Sequence, residues 1–573
     1  MSSAPVRSSS RFTVDADHPR YKWIALSNTT LGMLMATINS SIVIISLPDI
    51  FRGIKLDPLQ PGNVSYLLWM LMGFLLVTAV LVVSLGRLGD IYGRVKIYNL
   101  GFAVFTLGSV ALVFDPFTQG HGALWLIVWR LVQGVGAAML FANSTAILTD
   151  AFPAHRRGFA LGINQVAALG GSFIGLILGG LLAPVDWRLV FFISVPFGLI
   201  GTFWSYKSLR ETSARTPADI DWAGNALFAL GLTAILAGIT YAIQPYAGHD
   251  MGWTNPWVLA GLIGGAVLLL VFCVVESRVE APMFNLSLFR IKAFAAGNLA
   301  GLLASVSRGG LQFMLIIWLQ GIWLPLHGYS FASTPLWAGI YLLPLTLAFL
   351  LAGPLSGFLS DRYGARTFAT GGLLVVAISF AGLMLLPTNF HYWAFAGLLV
   401  LNGIGSGLFS APNTTAIMNS VPANRRGVAS GMRGTFMNSG TSLSIGIFFS
   451  LMIVGLAQTL PTALTGGLEA HGVSASVATG IGQQPPVGSL FAAFLGANPI
   501  GTLLGALPAS ATQGADLNTL TSKQFFPQLI ASPFHHGLMV VFSAAVAMSL
   551  IAAAASLFRG GRYVHVETPD RAE

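Results

Sequence analysis

Fourteen stretches of this chain are apolar over about the length needed to cross a bilayer, and no other feature restricts its fold as much. They run over 24–47, 64–85, 97–114, 122–143, 159–183, 189–207, 222–243, 257–275, 294–320, 336–358, 367–387, 392–415, 428–456 and 537–558. Crossing the hydrocarbon layer takes roughly 20 residues in a helix. Lipid offers no partner to backbone N–H and C=O groups, so each run must satisfy them internally, as a helix. The first run follows a polar, Ser-rich stretch of 23 residues. It is too long for the core of a signal peptide and reads as a retained helix. The expected fold is an all-α integral membrane protein with 14 transmembrane helices.

Composition excludes the soluble alternatives. Charged residues make up 9% of the chain, hydrophobic residues 54%, and mean hydropathy is +0.75. Soluble proteins carry about 25% charged residues. Such a chain cannot cover a water-facing surface, and its single cysteine, Cys273, permits no internal disulfide. Arg outnumbers Lys, which points to a GC-rich genome.

The basic residues also report orientation. Of the 29 Lys and Arg, 22 lie in the two tails and in the turns after runs 2, 4, 6, 8, 10 and 12. The opposite set of turns holds Arg52, Lys55, Arg188 and Lys523, while Arg130, Arg308 and Arg433 lie inside runs. Cytoplasmic loops carry the excess of positive charge, so both termini are expected in the cytoplasm. The net charge of +9 is then a topology signal, and no nucleic-acid partner is implied. Residues 457–536 form a long outer segment with Glu469, Asp516 and Lys523 as its charges. One crossing there would carry Arg559 and Arg562 outside. The segment is expected on the outer face, as a helical hairpin or, alternatively, a polar loop.

Three pairs of motifs recur at nearly constant offset. Gly86-Arg-Leu-Gly-Asp90-Ile-Tyr-Gly93-Arg94 returns 271 residues later as Gly357-Phe-Leu-Ser-Asp361-Arg-Tyr-Gly364-Ala-Arg366. Pro153 to Ala160 returns as Pro422 to Ala429, and Gly134-Val-Gly136 as Gly403-Ile-Gly405, both at offset 269. Two pseudo-symmetric six-helix bundles follow, with two helices inserted between them. The expected parts are a cytoplasmic tail at 1–23, a first bundle at 24–207 and a linker with the inserted pair at 208–293. A second bundle follows at 294–558, including the outer segment, and then a tail at 559–573. Repeated halves around a central site are a transporter plan.

These motifs resemble the major facilitator superfamily, and fourteen helices resemble its drug:proton antiporter branch, the quaternary-ammonium and multidrug exporters. Leu126 to Ala138 resembles the family's helix-4 motif, and Trp187 to Gly198 its start of helix 6. Asp221-Trp222-Ala-Gly224 resembles the start of the first inserted helix, and Ala281-Pro282 through Arg290 the approach to the second half. The resemblance implies a secondary transporter of the bacterial plasma membrane. It would export lipophilic compounds by alternating access, coupled to protons. No cofactor or metal is expected. No Gly-Lys dipeptide, His-Glu-x-x-His or Gly-x-Ser-x-Gly is present, so neither a Walker A loop nor these hydrolase signatures occur.

Several residues are candidates for the work. In the Gly86–Arg94 loop, glycines permit tight turns. Asp90 could sit at a helix N-terminus or pair with Arg94. A clasp holding the two halves together and a solvated charged turn both fit Gly86, Asp90, Gly93, Arg94 and their copies Asp361 and Arg366. Arg130 lies near the middle of run 4, where Arg costs roughly 2.5–3.5 kcal/mol on insertion scales. It needs a water-filled cavity or a partner, and the resemblance implies a cavity or proton-relay role. A structural tie to backbone carbonyls is the alternative. Gln133 lies beside it. Asn39 stands where the exporters carry an aspartate, and Asn hydrogen-bonds without taking a proton.

Gly171, Gly175, Gly179 and Gly180 resemble the antiporter motif of helix 5, with Leu176 in place of its proline. No Asp or Glu lies in the middle of a run, whereas Arg308 is near the centre of run 9 and Arg433 part-way into run 13. Arg433 could line a cavity with Asn164, its counterpart by the repeat, or snorkel to the interface. A cavity with arginine and no carboxylate disfavours dications and favours neutral or anionic amphiphiles. The runner-up reading is therefore an exporter or flippase of anionic or lipid-like molecules, its coupling not based on a helix-1 carboxylate. A non-transporting receptor keeps the bundle but has no need of Asn39, Arg130, Gln133 and Arg308.

Overall fold

The computed structural model describes residue 18 and residues 20–57, 62–153, 157–211, 221–280, 282–422, 425–496, 498–505 and 515–559. Among these residues there are fourteen helices long and apolar enough to span a membrane, and no strand. The first six are α1 (Tyr21–Gly53), α2 (Asn63–Tyr92), α3 (Arg94–Val113), α4 (Gln119–Ala151), α5 (Arg157–Leu182) and α6 (Leu189–Ser208). The inserted pair is α7 (Trp222–Ala242) and α8 (Pro256–Glu276). The last six are α9 (Lys292–Leu326), α10 (Thr334–Tyr341 and Leu343–Tyr363), α11 (Ala365–Leu385), α12 (Tyr392–Asn419), α13 (Arg426–Glu469) and α14 (Phe525–Leu557).

The repeat is visible in the packing. Helices α1 and α5, α2 and α4, and α3 and α4 pack in the first bundle; α9 and α13, α10 and α12, and α11 and α12 pack in the second. The same glycines make both sets possible. A Cβ on Gly136 would meet the Gly101 carbonyl at 2.8 Å, and one on Gly405 would meet the Gly372 carbonyl at 2.7 Å. Without a side chain, the paired backbones touch directly. Between α2 and α3, Gly93 has φ +113°; between α10 and α11, Gly364 has φ +93°. Residues with a Cβ rarely adopt that conformation, so each motif copy depends on its glycine.

Between the halves, α2 packs along α13 and α5 packs on α10. The Gln320 amide of α9 reaches the Ile45 carbonyl of α1 at 3.5 Å. A Cβ on Gly180 would lie 2.3 Å from Leu336 Cα, and one on Gly339 would lie 3.5 Å from Leu176 Cβ. The Gln320, Gly180 and Gly339 contacts fall near the end of the molecule where α1 and α5 terminate, while α2 meets α13 as far as Val83 and Gly431, toward the other end. The inserted α7 packs against both α2 and α13, so it lies along the seam. Helix α8 exposes Trp257, Ile263, Leu270 and Val274, as suits a lipid-facing element.

Two boundaries differ from the hydropathy reading. Helix α13 continues past 456 to Glu469, and α14 begins at Phe525, before 537. The extra turns are more polar yet carry buried Leu460, Leu464, Phe525 and Ile530; packing on neighbouring segments sustains them. The segment between them is neither a simple hairpin nor a polar loop among its described residues. It forms short helices at Ala475–Gly482, Pro486–Phe494, Pro499–Gly505 and Leu517–Leu520. Phe491 stacks on Phe449 of α13 and Phe494 lies edge-on to Phe313 of α9. Asp516 caps the last of them, its carboxylate accepting from the backbone N–H and hydroxyl of Thr519. Those bonds hold its carboxyl below the ordinary carboxylate range.

Candidate functional site

The first bundle encloses a polar network around Arg130. Its guanidinium donates to Asn39 Oδ1 and to Gln133 Oε1 (3.2 Å), with longer bonds to the Met70 (3.4 Å) and Asn39 (3.5 Å) carbonyls. The Phe74 ring lies 4.5 Å from its centre. Asn39 Nδ2 in turn donates to Ser194 Oγ at 3.2 Å, and Gln133 Nε2 to Ser109 Oγ at 2.8 Å. Arg130 is 1% exposed, and Asn39 and Gln133 0%. No carboxylate pairs with Arg130 among the described residues. The sequence placed these three in a substrate cavity. The structure instead places them inside the bundle, where amide, hydroxyl and carbonyl oxygens and an aromatic face solvate one buried cation. Asn164 is likewise buried, its amide on Ser144 Oγ of α4 at 2.9 Å.

The second bundle differs. Arg308 and Arg433 line one cavity of about 40 Å³ with Phe349, Asn402, Asn413 and Ser549. That is room for a few waters. The Arg308 side chain is exposed although it sits in mid-helix, and Arg433 is half-buried. Arg308 lies 5.3 Å from the Phe349 ring. No Asp or Glu lines this cavity. Arg433 therefore faces the bundle interior rather than snorkelling, and it does not share a cavity with Asn164. Each faces its own bundle, as the repeat requires. Offset 269 also relates Asn39 to Arg308 and Gln133 to Asn402. One half closes its polar positions into a network; the other leaves them open.

The described ties of the Asp90 loop lie within the first bundle. Arg94 Nε donates to Asp90 at 2.8 Å and its Nη1 to Asp150 of α4 at 2.7 Å. Glu211, just past α6, accepts from the backbone N–H groups of Arg94 (2.7 Å) and Val95 (3.2 Å). An acidic side chain at a helix N-terminus suits the helix dipole. In this conformation these bonds join α2, α3, α4 and the end of α6 within the first bundle. Gly86 and Gly93 leave room for Ala142 and Glu211. In the second copy Arg366 is exposed, and the Asp361 side chain lies outside the described residues.

The helix-5 glycines divide between two tasks. Gly171, Gly175 and Gly179 face α1, where a Cβ would meet the carbonyls of Leu34, Ile38 and Ile42 at 3.0, 2.5 and 2.8 Å. Gly180 faces α10 across the seam. Leu176, in the place of proline, packs there against Gly339.

Residues 29–445 match the Major Facilitator Superfamily. The chain belongs to that family. Among its relatives are the riboflavin transporter RibZ of Clostridioides difficile, 29% identical over 76% of this chain and 90% of that one. The multidrug resistance protein Stp of Mycobacterium tuberculosis is 31% identical over 77% and 78%. The tetracenomycin C resistance and export protein of Streptomyces glaucescens is 27% identical over 94% and 91%. A similar fold is found in a bacterial homolog of the human lysosomal transporter Spinster, 16% identical, with TM-score 0.55 over 95% of this chain and 99% of that one.

Sequence reasoning missed Ser109, Ser194, Phe74 and Glu211, which lie far from their partners along the chain. Asn402 was within reach, because offset 269 maps it onto Gln133.

Proposed function

We propose that this superfamily member is a secondary transporter that exports lipophilic or amphiphilic compounds by alternating access, with protons as the coupling ion. The carrying observation is the pair Arg308 and Arg433, which line one cavity of the second bundle with no Asp or Glu in its lining. The relatives named for resistance and export support the direction. The two bundles, 24–207 and 294–558, would rock about the α2–α13 and α5–α10 seams. The basic-residue bias supports cytoplasmic termini, and bacterial relatives support a bacterial plasma membrane. Small amphiphilic substrate, protons and lipid are the proposed partners.

The two cavity arginines favour a second reading, in which anionic or lipid-like amphiphiles are the cargo. At about 8 Å and an effective dielectric of about 20, each unit charge on a ligand feels about 2 kcal/mol from one arginine. That is roughly 30-fold per charge. The test is transport into inside-out vesicles, with and without an imposed pH gradient, over ligands matched in size and differing in charge. Neutral and monoanionic members should accumulate with the gradient, and dications far less. Equal rates for dications overturn the charge reading. No gradient-driven accumulation of any member overturns proton-coupled export.

A further inference from the structure

The inserted helix pair is held at its base by two carboxyl groups. Asp221 caps α7, its Oδ1 accepting from the Gly224 N–H at 2.7 Å. Glu276 ends α8, its Oε2 accepting from the Phe284 N–H at 3.0 Å. The residues are 7% and 3% exposed. Each has one oxygen left, Asp221 Oδ2 and Glu276 Oε1, and both are buried without a donor among the described residues. These two oxygens converge. A Cβ on Gly224 would lie 2.3 Å from the first and 2.7 Å from the second. Glycine at 224 is what leaves room for that approach.

Two ionised carboxylates are acceptors only and cannot bond to each other. We propose that this pair is a proton-binding site, with one proton on Glu276 Oε1 donated to Asp221 Oδ2. The bound proton satisfies both orphaned oxygens. Its departure to water leaves two negative charges in buried contact, which repel. Among the described residues the charged or titratable groups facing the pair are Arg87 of α2, with Asp90 one turn further, and Cys273 one turn back in α8. Phe284 and Phe436 present an apolar face from the 282–291 segment and α13.

The base is joined to the first bundle as well. Ser84 of α2 donates to Asn225 of α7, and Arg87 to the Pro282 carbonyl. At the other end of α7, a Cβ on Gly446 of α13 would lie 2.8 Å from Ile239. Protonation thus holds a hairpin that lies along the seam between the halves. The site deepens the proposed proton coupling, yet it is measured without substrate, so failure of coupling in vesicles leaves its test unaffected.

The test uses purified full-length protein and two near-isosteric variants, Glu276→Gln and Asp221→Asn. In pH-difference infrared spectra the wild type should show a protonated-carboxyl band that disappears as pH rises. Glu276→Gln should abolish that band. Asp221→Asn removes the neighbouring charge and should lower the band's midpoint by about one pH unit or more, a tenfold change in proton affinity. A group protonated in the folded state stabilises less as pH rises. Wild-type Tm should therefore fall through the same midpoint, and the Glu276→Gln Tm should not. A band unchanged in Glu276→Gln, or a midpoint unmoved in Asp221→Asn, overturns the proposal.

Discussion

Arg130 and Asn39 show how one side chain changes the task of another. An aspartate at 39 would face Arg130 as a counter-ion; Asn39 offers it one amide oxygen and passes the network on to Ser194. Hydrogen bonds to charged groups contribute about 1.5–3 kcal/mol each. Asn39→Ala is expected to destabilise the first bundle by about that amount, read as a lower Tm in detergent. An unchanged Tm would mean that water replaces the amide. Asn39 is buried away from the open cavity, so ligand charge preference should respond instead to Arg308→Gln. That variant is expected to raise dication transport by roughly 30-fold for each charge the ligand carries, at about 2 kcal/mol apiece. Matched-charge ligand assays check it, and an unchanged dication rate would remove Arg308 from the cavity's selectivity.

Helix α5 meets two partners with two glycine faces. Gly175 sits on the Ile38 carbonyl within its own bundle, whereas Gly180 and Leu176 sit on α10 in the other. The distance from Leu176 Cβ to a Cβ on Gly339, 3.5 Å, is within the disulfide range. A Leu176→Cys/Gly339→Cys pair in a Cys273→Ser background is expected to cross-link without added spacer and to arrest transport until reduced. Adding Gly180→Ala should slow the cross-link, because its Cβ would press on Leu336 Cα. Gly175→Ala should instead lower stability, since the clash lies inside a bundle. Equal effects of the two substitutions on cross-linking would mean that the seam does not depend on Gly180.

For the molecule as a whole, the basic-residue bias puts both termini on the cytoplasmic side, and labelling checks it. Cysteines placed at 480, in the short helix Ala475–Gly482, should react with impermeant reagents from outside the cell. Cysteines at 215 or 565 should react from inside only. Outside labelling at 565 would contradict fourteen crossings with cytoplasmic ends. The Gln320, Gly180 and Gly339 contacts lie near the ends of α1, α5 and α9. Under this orientation that end would face outward.

Hydropathy and basic-residue placement determined the number of spans, because lipid demands a continuous apolar helix and leaves little freedom in length. Internal offset determined the duplication: Gly136 and Gly405 make the same contact because they hold the same place in two copies. Sequence alone did not separate Arg130 from Arg308. Both are mid-helix arginines with equal cost in lipid. Only the packed bundle decided that Asn39, Gln133 and Phe74 surround the first, while the second stands open to a cavity with Arg433. The reach of α13 to Glu469 and the meeting of Asp221 with Glu276 were also tertiary matters. Hydropathy measures transfer into lipid. It carries no information about polar groups that protein neighbours satisfy, and in this chain those groups are the ones that differ between the two halves.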